Sequence, residues 1–128
     1  MKIPLNEFTK RASLVKKSDR YEVYDLALEN LALSMTVLHR DKSTTGYSHD
    51  DTDEIYLFIE GNGKIQLDNE IQDIVSGDIV TMPRKVFHRV FNAGDGDLTF
   101  YAFLKNTRTN DVIWHEGTYP LWRQGHQA

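Results

Sequence analysis

Between residues 21 and 104 the sequence consists of short apolar or alternating runs, each separated from the next by turn residues. The turn clusters at 61–63 and 76–78 are rich in Gly, Asn, Ser and Asp, which tolerate positive φ or form Asx-type turns. Short runs rich in Val, Ile, Phe, Tyr and Thr are typical of strands, and strands at this spacing build sandwiches and barrels. The pattern predicts an all-β protein with strands near 21–25, 31–39, 53–60, 63–67, 71–74, 78–82, 86–92 and 97–104.

The two ends of the chain are less regular than this central region. Residues 5–16 are expected to hold a short helix or strand, and residues 107–124 to cover one end of the sheets. No repeat, low-complexity tract or linker divides the 128 residues, a length that leaves no room for two cores of ordinary size. We therefore expect a single domain over 1–128, with its core motifs at about 31–104 and an aromatic tail at 107–128.

Charge and composition weigh against several classes of function. With 15 basic and 19 acidic residues the net charge is -4, so no global positive field attracts phosphate backbones or an anionic membrane surface. The longest strongly apolar run, residues 55–59, is far shorter than the roughly 20 residues of a spanning helix. The chain has no cysteine, which excludes disulfides and thiolate chemistry. We expect a cytoplasmic protein that binds neither nucleic acid nor membranes.

Three potential metal ligands, His49, Glu54 and His88, lie at strand ends in two glycine-bounded segments. The segment 46–61 resembles the first motif of the cupin family, G-x5-H-x-H-x3,4-E-x6-G, because His49 precedes Glu54 by four intervening residues and six residues separate Glu54 from a glycine. The segment 77–92 resembles the second motif, G-x5-P-x-G-x2-H-x3-N. The chain departs from the motifs in having a tyrosine at the first histidine position and a lysine at the middle glycine of the second.

The resemblance covers roughly residues 31–104 and implies a double-stranded β-helix, a jelly-roll barrel whose open mouth holds one metal. Carried over position by position, it implies His49, Glu54 and His88 as the metal ligands. Two histidines and one carboxylate suit a divalent transition metal such as Fe, Mn, Ni or Zn, and they leave coordination positions open for substrate or water. Some barrels of the family bind or transform substrates without a metal, which is the alternative.

Tyr47 occupies the position of the family's first histidine. Its phenol oxygen is a potential fourth ligand, but phenol binds metals weakly until it is ionised, and its ordinary pKa is near 10. The alternatives are that Tyr47 donates a hydrogen bond beside the ligands or fills space. In all three cases the resemblance places Tyr47 next to the metal, where it is a candidate catalytic residue.

Two further side chains are candidate catalytic residues. Alternation along a strand directs Tyr56 into the barrel if Glu54 points inward. His39 ends the next strand upstream, on the face that contains Val37. If that face is the interior, His39 is a candidate general acid–base catalyst or a further ligand, since imidazole titrates near neutral pH. The alternative is a partly buried histidine that is hydrogen-bonded to a neighbouring strand.

The same alternation predicts an apolar outer face on the strand that carries Glu54. Trp114 and Trp122 in the tail are also expected to pack against a surface, which is the barrel mouth, a dimer contact or the chain's own sheet. This is more apolar surface than a small isolated domain leaves in water, which predicts a homodimer. The outward residues of the strand are Ile55, Leu57 and Ile59.

A further resemblance suggests the type of reaction. Residues 88–95 followed by 98–102 are similar to the matching stretch of the cupin-type phosphoglucose isomerases. An open-sided divalent ion polarises a carbonyl or hydroxyl oxygen, as isomerisation and epimerisation require. The resemblance implies a metal-dependent enzyme acting on a small polar metabolite, with sugar or sugar-phosphate isomerisation favoured. The alternatives are an Fe(II)-dependent dioxygenase and a non-catalytic barrel that binds a small molecule.

Overall fold

The computed structural model describes residues 1–105, which form two antiparallel sheets preceded by a short helical segment. A 3-10 turn, Leu5–Glu7, leads into helix α1, Phe8–Arg11. The strands of this part of the chain are β1 Ser13–Lys17, β2 Tyr21–Ala27, β3 Leu31–Leu38, β4 Glu54–Glu60, β5 Asn62–Leu67, β6 Glu70–Val75, β7 Ile79–Met82, β8 His88–Asn92 and β9 Leu98–Lys105.

The predicted all-β class and jelly-roll architecture are confirmed. Each of the eight predicted strands is present with its ends within two residues of the expected positions. The segment 5–16, for which a helix or a strand was expected, contains α1 and most of β1. The aromatic tail, with Trp114 and Trp122, lies outside the described residues.

The larger sheet has the strand order β1-β2-β3-β9-β4-β7 and the smaller sheet the order β6-β5-β8. Consecutive strands β3 and β4 are not neighbours, because β9 lies between them. The long connection from β3 to β4 leaves the larger sheet and runs antiparallel to β8, with isolated bridges that pair Ser43 with Phe91 and Tyr47 with His88. This crossing closes the barrel on the side where β8 begins.

Side-chain alternation places one face of each sheet in a common interior. On β4, Glu54, Tyr56 and Phe58 are buried while Ile55 between them is 42% exposed, as the sequence pattern predicted. The residues of the interior cluster come from both sheets. They are Tyr21, Val23, Ala32, Leu38, Tyr56, Phe58, Ile65, Ile74, Met82, Val90, Leu98, Phe100, Ala102 and Leu104.

The outer face of the larger sheet carries a second apolar cluster, which α1 covers in part. Phe8 packs edge-on against Tyr101, with ring centroids 5.1 Å apart, and Met35 completes the buried centre. Beyond the helix an outer strip remains, in which Phe103 pairs across the sheet with Leu33 on one side and Ile55 on the other. Phe103 is 43% exposed, so the helical segment leaves this strip uncovered. Within residues 1–105 no helix is long and apolar enough to cross a bilayer.

We propose that a second copy of the chain covers the outer strip. Substituting Phe103→Glu is expected to convert a dimer into a monomer, because a buried carboxylate without a partner opposes association. Light scattering at micromolar concentration measures the mass. The matched control is Ile71→Glu, since Ile71 is also exposed but lies on the smaller sheet, and that variant stays dimeric. A parent protein with a mass of 14.8 kDa would contradict the proposal.

Candidate metal centre

The connection between β3 and β4 brings His49 opposite His88 by pairing with β8. The Tyr47 N–H donates to the His88 carbonyl at 3.2 Å, and the His88 N–H donates to the Tyr47 carbonyl at 2.9 Å. Thr44 is bonded to Val90 and Tyr47 is paired with His88. The connection thus advances three residues, from 44 to 47, while β8 advances only two, from 90 to 88. The connection therefore contains a β-bulge at residues 45–46, and bulges re-aim the side chains that follow them.

The bulge depends on a residue without a side chain. A Cβ atom at Gly46 would overlap the ring of Phe87, which packs directly on the backbone at this point. Thr45, the other residue of the bulge, is 2% exposed and lines the cavity. Backbone and ring thus fit closely together immediately before the segment that carries His49.

The side chains of His49, Glu54 and His88 converge in the interior. Glu54 Oε1 lies 3.2 Å from His49 Nε2 and 3.1 Å from His88 Nε2, and the candidate ligand atoms all lie within 4.8 Å of one another. The three residues are 9%, 3% and 3% exposed. Despite the short distances, neither contact has hydrogen-bond geometry, and these three atoms have no hydrogen-bond partner among the described residues. Buried polar atoms are nearly always satisfied, so three unsatisfied ligand atoms around one point fit a bound cation.

The protonation state of the carboxylate suits a ligand. Burial acts to raise the pKa of Glu54, but the neighbouring His49 and His88 side chains outweigh it and lower the pKa from 4.5 to about 2. Glu54 is therefore ionised at neutral pH and contributes one negative charge. An ionised carboxylate is the form that coordinates metals.

The loop between β7 and β8 forms hydrogen bonds with both histidines. The Nδ1–H of His88 donates to the Val86 carbonyl at 3.3 Å, so Nε2, which lies 3.1 Å from Glu54 Oε1, is the ring nitrogen available to a metal. The backbone N–H of Lys85 donates to the His49 carbonyl. Lys85, at the family's glycine position, has φ +73°, a left-handed conformation that glycine would adopt more readily.

Both tyrosines singled out in the sequence contact this cluster. The Tyr47 ring packs against both imidazoles, with centroids 4.9 Å from that of His49 and 4.8 Å from that of His88. The Tyr56 ring packs at right angles to His88, with centroids 5.7 Å apart. Tyr47 thus packs on the imidazoles whatever further role its hydroxyl has.

His39 is not part of this site, so the expectation that it lines the cavity is wrong. It follows Leu38, which points into the interior, and therefore lies on the outer face with Val37. Its Nε2 is 3.1 Å from Glu22 Oε2 on the neighbouring strand and its Nδ1 is 3.3 Å from Asp97 Oδ1. The hydrogen bond with Asp97 is the main reason that the pKa of His39 is raised above 6.5. This matches the alternative of a partly buried histidine bonded to a neighbouring strand.

The residues that wall the cavity next to the cluster were not predicted from the sequence. Ser34 on β3 lines this cavity and donates a hydrogen bond of 2.6 Å to the buried carboxylate of Asp25 on β2. The cavity measures about 30 Å³, which is room for about two water molecules. Alternation on β3 could have revealed this wall if the even-numbered positions had been taken as inward. Seven of the residues that line it carry a hydroxyl group: Tyr21, Ser34, Thr36, Thr44, Thr45, Tyr47 and Tyr56.

Comparison with known proteins agrees with this architecture. A family model described as a cupin domain matches residues 34–104. An uncharacterized protein of Methanocaldococcus jannaschii is 29% identical over 87 residues, which is 68% of each chain.

Solved structures share the fold at low sequence identity. A predicted oxalate decarboxylase from Thermotoga maritima superposes with a TM-score of 0.68 and 19% identity, covering 75% of this chain and 94% of that one. KdgF from a Halomonas species gives 0.68 and 16%, with 78% and 94% covered. An RmlC-like cupin from Shewanella frigidimarina gives 0.70 and 14%, with 83% and 93% covered. At these identities the superpositions show the fold alone.

The packing of Tyr47 on both imidazoles leads to a prediction for metal titrations. Tyr47→Phe keeps the ring and is expected to bind Zn²⁺ within about threefold of the parent, while Tyr47→His adds a neutral imidazole donor and binds at least about tenfold more tightly. Tyr21→Phe on the cavity wall is the control and leaves the affinity unchanged. If the histidine variant bound no more tightly than the parent, position 47 would not face the ion.

Proposed function

This chain belongs to the cupin family, and we propose that it is a metal-dependent enzyme acting on a small polar metabolite. The observation that carries the proposal is the convergence of three buried, unsatisfied ligand atoms from His49, Glu54 and His88 on one point. Two imidazoles and one carboxylate leave coordination positions free, which suits catalysis better than a purely structural ion. The donor set suits Fe, Mn, Ni or Zn equally, so the proposal covers one divalent transition metal.

A divalent ion at this point would polarise a carbonyl or hydroxyl oxygen of the substrate. The protein supplies the remaining functions. Glu54 and the two histidines fix the position of the ion, and the buried setting excludes bulk water. Ser34 and Tyr56 line the cavity, and in this proposal their hydroxyl groups orient a polar substrate and exchange protons with it.

Within this class we favour isomerisation or epimerisation of a sugar or sugar phosphate. The support is the similarity of β8 and β9 to the cupin-type phosphoglucose isomerases, together with Tyr47 and Tyr56 beside the ligands. In this proposal the carbonyl end of the sugar enters the cavity of about 30 Å³ beside the ligands, and the rest of the molecule lies outside it. The open ligand set equally suits an Fe(II)-dependent dioxygenase, which is the second candidate.

The proposal includes a free small molecule as the substrate and the cytoplasm as the location. The net charge of -4 supports a partner other than nucleic acid or an anionic membrane surface. The absence of cysteine is in keeping with a reducing compartment. A non-catalytic binding barrel is the remaining alternative.

Metal analysis of protein purified without chelator is expected to find about one transition metal ion per chain. His49→Ala and His88→Ala each remove a ligand and are expected to lose the ion, whereas His39→Ala, the matched control, retains it because His39 lies outside the cavity. Histidine binds metals as neutral imidazole, so protons compete with the ion for these nitrogens and acidification is expected to release it. Retention of the ion by both His49→Ala and His88→Ala would contradict this ligand set.

Isomerisation through an enediol removes a proton from the carbon next to the carbonyl and exchanges it with solvent. The metal-loaded protein in D₂O is therefore expected to incorporate deuterium into an aldose or aldose phosphate beside the carbonyl, as followed by NMR. Glu54→Gln retains the side-chain shape but removes the anionic ligand, and it is expected to abolish the exchange. Oxygen consumption without deuterium incorporation would replace the isomerase assignment with the dioxygenase. Binding of these sugars without either reaction would contradict catalysis.

A further inference from the structure

We propose that Arg20 and Arg89 are positioning residues of the metal centre. They hold residues 43–45, which we call the strap, from the two sides of the barrel and so fix the place of His49 opposite His88. This positioning role rests on the proposed metal function. The hydrogen bonds that support it, from Arg20 and Arg89 to the strap, lie outside the ligand cluster.

Arg89 replaces a backbone hydrogen bond that the strap lacks. In a regular antiparallel pair the Val90 N–H would donate to the carbonyl of Thr44. It donates instead to the Thr44 hydroxyl, at 3.0 Å. The Arg89 guanidinium occupies the place of the missing donor, with Nε 3.1 Å from the Thr44 carbonyl oxygen and Nη2 3.0 Å from Ser43 Oγ.

Arg20 reaches the same strap from the turn between β1 and β2, which belongs to the larger sheet. Its Nη2 donates to Thr45 Oγ1 at 2.7 Å and its Nη1 to the Ser43 carbonyl at 3.3 Å. Thr45 is a residue of the bulge and is 2% exposed, so this short hydrogen bond is largely shielded from water. The two guanidinium groups thus join the strap to both sheets.

The position of the strap determines the position of one metal ligand. Tyr47 lies two residues beyond Thr45 and pairs with His88, and His49 lies two residues further along the chain. A displacement of the bulge therefore moves His49 Nε2 relative to Glu54 Oε1 on β4, which belongs to the other sheet. A rigid guanidinium fork directed at two acceptors restrains such a displacement better than a single flexible ammonium group does.

The test compares Arg20→Lys, Arg89→Lys and the double variant with the parent. Each substitution retains the positive charge but loses the fork. Co²⁺ is the probe, because its visible absorption bands report the coordination geometry as well as the affinity. We expect Co²⁺ binding to weaken by about 10- to 100-fold in the double variant, with altered bands. Arg11→Lys, an exposed arginine paired with Glu7, is the matched control and changes neither.

A general loss of stability is separated from positioning by a second variant. Ile74→Val removes one buried methyl group from the core on β6 and contacts no part of the strap in the pairing pattern. It is expected to bind Co²⁺ like the parent, with the same absorption bands. If Ile74→Val weakened binding and altered the bands as much as the arginine variants do, the positioning role would be overturned.

Amide hydrogen exchange tests the same role in the metal-free protein. In the double variant the Tyr47 and His88 amides, which pair with each other, are expected to exchange at least about tenfold faster, while the Val23 and Ile65 amides within the sheets do not change. Unchanged exchange at Tyr47 and His88 would overturn the inference. A parent protein that bound no Co²⁺ would contradict the proposed metal function, and the exchange rates alone would then support or overturn the positioning role.

Discussion

The cost of burying one negative charge governs this structure. Glu54 is 3% exposed, and an ionised carboxylate in that setting is stable only with compensating partners. Those partners come from His49 on the connection between the sheets and from His88 at the start of β8. The ionised state of Glu54 thus requires three segments that are distant in sequence to meet. Because the contacts lack hydrogen-bond geometry, a cation among the three atoms satisfies them better than they satisfy one another.

The contacts that close the barrel are also those that bring the three candidate ligands together. Glu54 lies on the larger sheet and His88 on the smaller one, and the connection that carries His49 is held to the smaller sheet by the pairing of Tyr47 with His88. A chain with both sheets formed but this connection detached would have two ligands without the third. The candidate metal centre therefore depends on the rarer, irregular contacts of the fold more than on its regular strands.

The regular parts of the molecule were predictable from sequence and the irregular parts were not. Alternation and turn residues located the strands, and the motif spacing brought His49, Glu54 and His88 together. His39 was misplaced because the outward side of β3 is the more apolar one, and the reason is tertiary: Phe8 from the N-terminal helix packs there. The bulge at 45–46 and the arginines that hold it have no periodic signal, since both depend on contacts between segments far apart in sequence.

The fit between Gly46 and Phe87 has a consequence for how such a barrel can be altered. Neither residue is a candidate ligand, yet the ring lies where any side chain at position 46 would begin. The two positions are therefore coupled: a side chain at 46 requires either that the Phe87 ring move or that a smaller residue replace it, and both change the packing just before the segment that carries His49. Paired substitutions at 46 and 87 would therefore vary the packing beside the candidate metal centre while every donor atom stays the same.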